Sequence, residues 1–119
     1  MKISSKIVYI ITLSTGLSLS AVAADCGAPP LDQPQLPAAS TLTTKTLKSA
    51  RESTVEFSND IDDYMSCMDQ RGRKLLPYMT KEQQTRWEED LTELHENRRQ
   101  LQISLNDLIR NYRKQSSAQ

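Results

Sequence analysis

From Leu47 onward the apolar residues fall at helical spacing. Leu47, Ala50, Thr54, Phe57, Ile61, Tyr64, Met68 and Leu75 sit on alternating steps of three and four once Arg71 fills a slot. That is a heptad seam, and it predicts a helix. Thr43 or Thr44 is placed to cap its start, while Gly72 and then Pro77 weaken and end it. After the short break from Leu76 to Met79, Thr80-Lys81-Glu82-Gln83 fits a capping box, in which a Thr hydroxyl and a Gln side chain satisfy each other's orphan backbone donors. A second helix begins there. Its seam is Trp87, Leu91, Leu94, Arg98, Leu101, Leu105, Leu108 and Tyr112, and Ser116 to Gln119 is expected to fray.

Two long helices joined by so short a connection turn back antiparallel, so residues that face one another should have numbers adding to about 155. The charges agree with that register. Arg71, Arg73 and Lys74 then face Glu82 and Glu88, and Glu56, Asp60 and Asp63 lie near Arg98 and Arg99. The expected fold is all-α: a coiled-coil-like antiparallel two-helix hairpin over residues 43–115, with helices at about 43–75 and 81–114. At 1.5 Å per residue each helix is a rod about 50 Å long.

Residues 26–40 hold four of the five prolines, which fix φ and withhold amide donors, so residues 25–42 read as an extended Pro-rich arm. Leu31 and Leu36 punctuate it and suit it to lie along an apolar surface. Ahead of the arm, Lys2 and Lys6 precede the apolar run Ile7 to Leu19, and Ala21-Val22-Ala23 and Val22-Ala23-Ala24 both meet the small-x-small cleavage rule. Residues 1–24 are therefore expected to be a cleaved secretory signal peptide; the run is too short and too often broken by Ser, Thr and Gly for a spanning helix, which needs about 20 apolar residues. Asp25 before Cys26 argues against a lipidated cysteine. The expected compartment is the periplasm.

Export changes the reading of the two cysteines, Cys26 and Cys67. An even count in an oxidising compartment is most simply one intramolecular bridge, with two free thiols or intermolecular bridging as the alternatives. Cys67 is one residue from seam residue Met68, at the flank of the stripe, so a bridge would lay the arm along the hairpin groove. The arm is long enough, because residues 43–67 of a helix rise only about 36 Å. The bridge would also help a fold that has one buried stripe per helix and little core.

The full chain has 119 residues, with Lys plus Arg and Asp plus Glu at 15 each; loss of Lys2 and Lys6 leaves 13 basic against 15 acidic residues, a net charge of −2. That length holds one small domain, and that balance provides no basic field for nucleic acid.

Cys26 with Pro29 and Pro30, the proline-spaced arm to Pro37, Val55-x-Phe57 and Tyr64-Met65-Ser66-Cys67-Met68-Asp69 together resemble a group of small exported proteobacterial proteins. That group shares a Cys-x-x-Pro start and a Tyr-x-x-Cys-hydrophobic-Asp box before a second helix. The resemblance covers most of the chain after the signal segment and implies an exported hairpin with a cysteine pair, and no activity. Met79-Thr80-Lys81-Glu82-Gln83 also looks like the Leu-Thr-x-x-Gln box of small stress-induced periplasmic chaperones, with Met for Leu and one copy where those proteins carry two.

Candidate chemistry is sparse. His95, the single histidine, has carboxylates nearby, but Arg98 and Arg99 occupy the i+3 and i+4 positions where a metal site wants ligands, so no metal and no cofactor is expected. Asn59-Asp60-Ile61-Asp62-Asp63 lies inside a helical pattern and lacks the glycine and terminal Glu of a calcium loop. No nucleophile has an activating base, so no enzyme is expected. Met65, Met68 and Met79 are core filler first and an adaptable client strip second. Arg98 at a seam position either pairs with Glu56 or Asp60 or specifies register and partner. The antiparallel register gathers Lys45, Lys48, Arg51, Arg110, Arg113 and Lys114 at the open end, an anion or partner surface diluted by Glu52 and Asp107. The expected function is a non-enzymatic interaction protein that binds a protein partner or itself, with peripheral contact to an anionic membrane or envelope surface. The alternatives are a chaperone-like client binder and a metal-stress protein.

Overall fold

Thr43, not Thr44, opens the first helix. Its hydroxyl accepts from the Thr46 amide at 3.1 Å while the Thr46 hydroxyl accepts from the Thr43 amide at 2.9 Å, so the first turn closes as a reciprocal cap. Helix α1 then runs Thr44–Leu75. Arg73 and Lys74 lie in its last turn, where cations offset the partial negative charge of the carbonyl end. A single 3-10 turn, Leu76–Tyr78, carries Pro77 at a position that needs no amide donor, and helix α2 follows over Lys81–Ser117. Thr80 caps α2 as expected, accepting from the Gln83 amide at 3.2 Å while Gln83 Oε1 accepts from the Thr80 amide at 3.0 Å. Gln84 adds a contact that the capping pattern does not foretell: its Nε2 donates to the Leu76 carbonyl at 2.9 Å, beside the Met79 amide that already donates there at 3.2 Å.

The computed structural model describes residues 26–118 and shows α1 and α2 packed together as an all-helical hairpin, with no strand among the described residues. The expected signal segment, 1–24, lies outside them. Helix α2 reaches Ser117 rather than fraying from Ser116, and Ser117 Oγ donates to the Arg113 carbonyl at 2.8 Å.

The seam buries Ala50, Phe57, Ile61, Leu94, Leu101 and Leu105, with Ile61 and Leu101 fully enclosed. Thr54 is the one buried polar side chain among the described residues, and its hydroxyl donates to the Ala50 carbonyl at 2.8 Å. Near the end of α1 the stripe leaves the heptad slots. Gly72 is buried where Arg71 was expected, and Leu75 is 37% exposed. Ala50, Ile61 and Gly72 recur every eleven residues. A straight helix at 3.6 residues per turn drifts about 20° per heptad, so over the three heptads from Ala50 the slot at 71 lags by about 60° and residue 72, about 40° off, lies nearer the seam.

Cys26 and Cys67 are bridged, with their Cα atoms 5.6 Å apart, and the bridge ties the arm to α1 across a sequence separation of 41. From there the arm runs back along the hairpin. Leu36 packs on the Phe57, Ile61, Leu94 and Leu101 cluster together with Tyr64 and Met65, and a 3-10 turn at Ala39–Thr41 rests on α2 before α1 begins. Leu31, by contrast, stays 68% exposed.

Candidate functional site

The two flanks of the seam differ. Residues four apart share a helix face, so Asp60 and Tyr64 lie on the flank of Cys67. There the arm closes over the helices. Pro29 and Leu31 from the arm, Tyr64 and Met68 from α1, and Trp87, Leu91 and Leu94 from α2 line a cavity of about 340 Å³, with the carboxylates of Asp90 and Glu93 also in its wall. Trp87 packs beside Gly72 at ordinary contact distance. A β-carbon built at Gly72 would lie 3.6 Å from Trp87 Nε1 and 3.5 Å from Leu76 Cδ1, so the indole rests almost directly on the α1 backbone.

The cavity is apolar with two anionic groups, at the lower end of the size range of ligand pockets. It suits an apolar side chain that carries, or neighbours, a positive charge. Sequence reasoning placed Tyr64, Met68, Trp87 and Leu91 in the seam and missed the pocket. The signal that bears on it is the combination of a bridged Cys67 with Pro29 and Leu31 just beyond Cys26, because the bridge fixes which helix face those two residues cover.

The opposite flank carries polar rungs. Arg98 donates to Asp62 Oδ1, and Gln102 Nε2 donates to Ser58 Oγ at 3.4 Å. The pairs expected for Arg98, Glu56 or Asp60, do not form, because those residues lie toward the disulfide flank while Asp62 and Ser58 share the other one. The pairs Ser58 with Gln102 and Asp62 with Arg98 put the register slightly above the expected total of about 155. A side chain leaning toward its own helix N-terminus on each strand of the hairpin accounts for that offset.

Arg98 is only 19% exposed, and its Nη2 also lies 3.0 Å from His95 Nδ1. The lone histidine is thus engaged by a cation. Arg99, expected near Asp60 and Asp63, instead folds onto its own helix. Its Nε and Nη2 donate to the two carboxylate oxygens of Glu96 at 2.9 and 2.7 Å, and Gln100 donates at 2.8 Å. The Arg99 fork, and then Gln100, lower the Glu96 carboxyl from 4.5 to about 2. Likewise Glu82 pairs with Arg86 on α2 at 3.0 Å.

At the open end Thr44 Oγ1 and Tyr112 OH lie 2.6 Å apart, closing the hairpin there. Leu47 and Arg51 from α1, with Asn106, Ile109, Arg110, Tyr112 and Arg113 from α2, line a cleft of about 510 Å³. Three of the six expected cations therefore meet in one place. Lys48 pairs with Glu52 at 3.9 Å and Arg110 with Asp107, while Lys45 and Lys114 are exposed outside the cleft.

Among the described residues no group of three His, Cys, Asp or Glu side chains is placed to hold a metal, and no helix is long and apolar enough to cross a membrane. Against protein-family models, curated proteins and solved structures the chain finds no match.

Proposed function

We propose that the chain is a non-enzymatic periplasmic interaction protein, exported through a cleaved signal peptide at residues 1–24, that receives an apolar side chain of a protein partner in the arm-roofed cavity. The cavity is the observation that carries this reading: three separate segments converge on it, and the Cys26–Cys67 bridge holds its roof in place. A bridge of that kind fits an oxidising, exported environment. The rim carboxylates of Asp90 and Glu93 favour a partner segment in which the apolar side chain adjoins a Lys or Arg. The bridged cysteines and the Arg98-engaged His95 fit the non-enzymatic reading, since among the described residues neither a thiolate nor a free imidazole base stands beside a hydroxyl.

The test places a photo-crosslinking residue at position 31, on the cavity rim, and another at position 100, on the outer face of α2, in protein secreted by living cells. Position 31 should yield a discrete adduct with a second protein that disappears in a Trp87→Ala, Leu91→Asp background. Equal adducts from positions 31 and 100, or adducts at 31 that survive those substitutions, would remove the cavity from the interface.

A further inference from the structure

The polar flank changes character along its length. At Asp62 a carboxylate meets Arg98, and one turn on Ser58 meets Gln102, each a complementary pair across the seam. Two turns further toward the open end the same flank brings Arg51 of α1 into a cleft with Arg110 and Arg113 of α2. Donor now faces donor. Asp107 engages Arg110, but neither Arg51 nor Arg113 forms an ion pair among the described residues. Guanidinium groups carry donors and no acceptor, so an anion from outside the chain would give Arg51 and Arg113 the charged partner that water now replaces.

The surroundings narrow the kind of anion. Leu47, Ile109 and Tyr112 share the cleft with the arginines, so a bound group would have apolar surface beside its charge. Lys45, Lys48 and Lys114 are exposed around the same end and extend the positive field beyond the cleft. Arginine forks match phosphate oxygens in pairs, arginine stems lie along apolar surface while their heads stay at the water boundary, and a tyrosine with an apolar body and a polar tip suits the headgroup layer. The cations sit at the end of the rod remote from the helix-joining turn, so an end-on contact leaves the turn and the arm-roofed cavity pointing away.

We propose that the open end of the hairpin docks on an anionic phospholipid bilayer, with lipid phosphate seated between Arg51 of α1 and Arg110 and Arg113 of α2. The site is separate from the arm-roofed cavity and does not depend on it.

The experiment is co-sedimentation of the oxidised protein, purified from the cells that secrete it, with vesicles of phosphatidylcholine alone and of phosphatidylcholine mixed with phosphatidylglycerol. The expected result is binding to the mixed vesicles at least about tenfold tighter than to the neutral ones. It should weaken as salt shortens the screening length from about 10 Å at 0.1 M to about 3 Å at 1 M. The double substitution Arg51→Glu, Arg113→Glu should abolish that preference, whereas the charge-matched double Lys74→Glu, Lys81→Glu at the turn end should keep it; helix content by circular dichroism checks that both variants fold. Equal binding to both vesicle types, or equal loss in the two double variants, would overturn the proposal. Competition by millimolar inorganic phosphate that empties the vesicles of protein would reassign the cleft to a free phosphate ligand and overturn the bilayer.

Discussion

Arg98 crosses the seam to Asp62, and the exchange is unequal: the arginine side chain is 19% exposed and the aspartate 63%. The buried partner depends on the exposed one. Removing Asp62 leaves a largely desolvated guanidinium short of an acceptor, with His95 Nδ1 as its other partner. Asp62→Ala is expected to cost about 1 to 2 kcal/mol in urea unfolding, less than the full buried-pair figure because Asp62 faces water. Arg98→Leu should cost less than Asp62→Ala, or stabilise, since an apolar residue fits the seam between Leu94 and Leu101. The reverse order would mean that the pair contributes through attraction alone.

The bridge holds the arm, and the arm supplies Pro29, Leu31 and Leu36 to the hairpin. Closing a loop of this size is worth about 4 kcal/mol in the chain-entropy account. Cys67→Ser, or reduction of the native protein, is expected to lower the thermal midpoint and to make residues 27–42 the first sites of protease cleavage. The far-ultraviolet helix signal should persist at low temperature, since both capping boxes and the seam remain. An unchanged midpoint would show that the arm adds nothing to stability.

Gly72 is a helical glycine whose added β-carbon would find ordinary contacts at 3.5 to 3.7 Å. Its backbone freedom is lost on folding with no conformational need in return. Gly72→Ala should therefore stabilise the protein by about 0.5 to 1 kcal/mol. Gly72→Leu should destabilise it, because a longer side chain has to displace Trp87, and the shift in tryptophan emission would report that movement.

Glu96 gives the chain a pH-dependent contribution. The Arg99 fork, and then Gln100, hold its carboxyl at about 2 in the folded protein against an ordinary 4.5. The folded state favours the charged form, so the contribution is complete above about pH 4.5, declines as pH falls, and is gone near pH 2. The difference in thermal midpoint between wild type and Glu96→Gln should follow that window and shrink with added salt, because the pair is on the surface. A carboxyl titration by nuclear magnetic resonance that places Glu96 at the ordinary carboxylate value would refute the assignment.

Both helices, the capping box at Thr80 and the antiparallel hairpin were legible in the residues, whereas the choice of Thr43 over Thr44 and its reciprocal cap with Thr46 were not. Apolar spacing, Thr-x-x-Gln chemistry and a proline after the helix end all act within a few residues of chain, where local sterics and backbone hydrogen bonding decide the outcome. The partners of Arg98 and Arg99 were not legible, because several acidic residues stood within reach and only the rotation of each helix selects a flank. Asp62 shares the flank of Ser58, Asp60 that of Cys67, and that choice separates an ion pair from a solvated charge. Gly72 replaced Arg71 in the seam for a related reason, since drift of a straight helix accumulates over the whole of α1 and no short window records it. The arm-roofed cavity is likewise a tertiary fact, as is the narrowing of the six cations expected at the open end to the cleft of Arg51, Arg110 and Arg113. Each needs residues from segments dozens of positions apart, and only the bridge at Cys67 and the packing of α1 on α2 fix the distances between them.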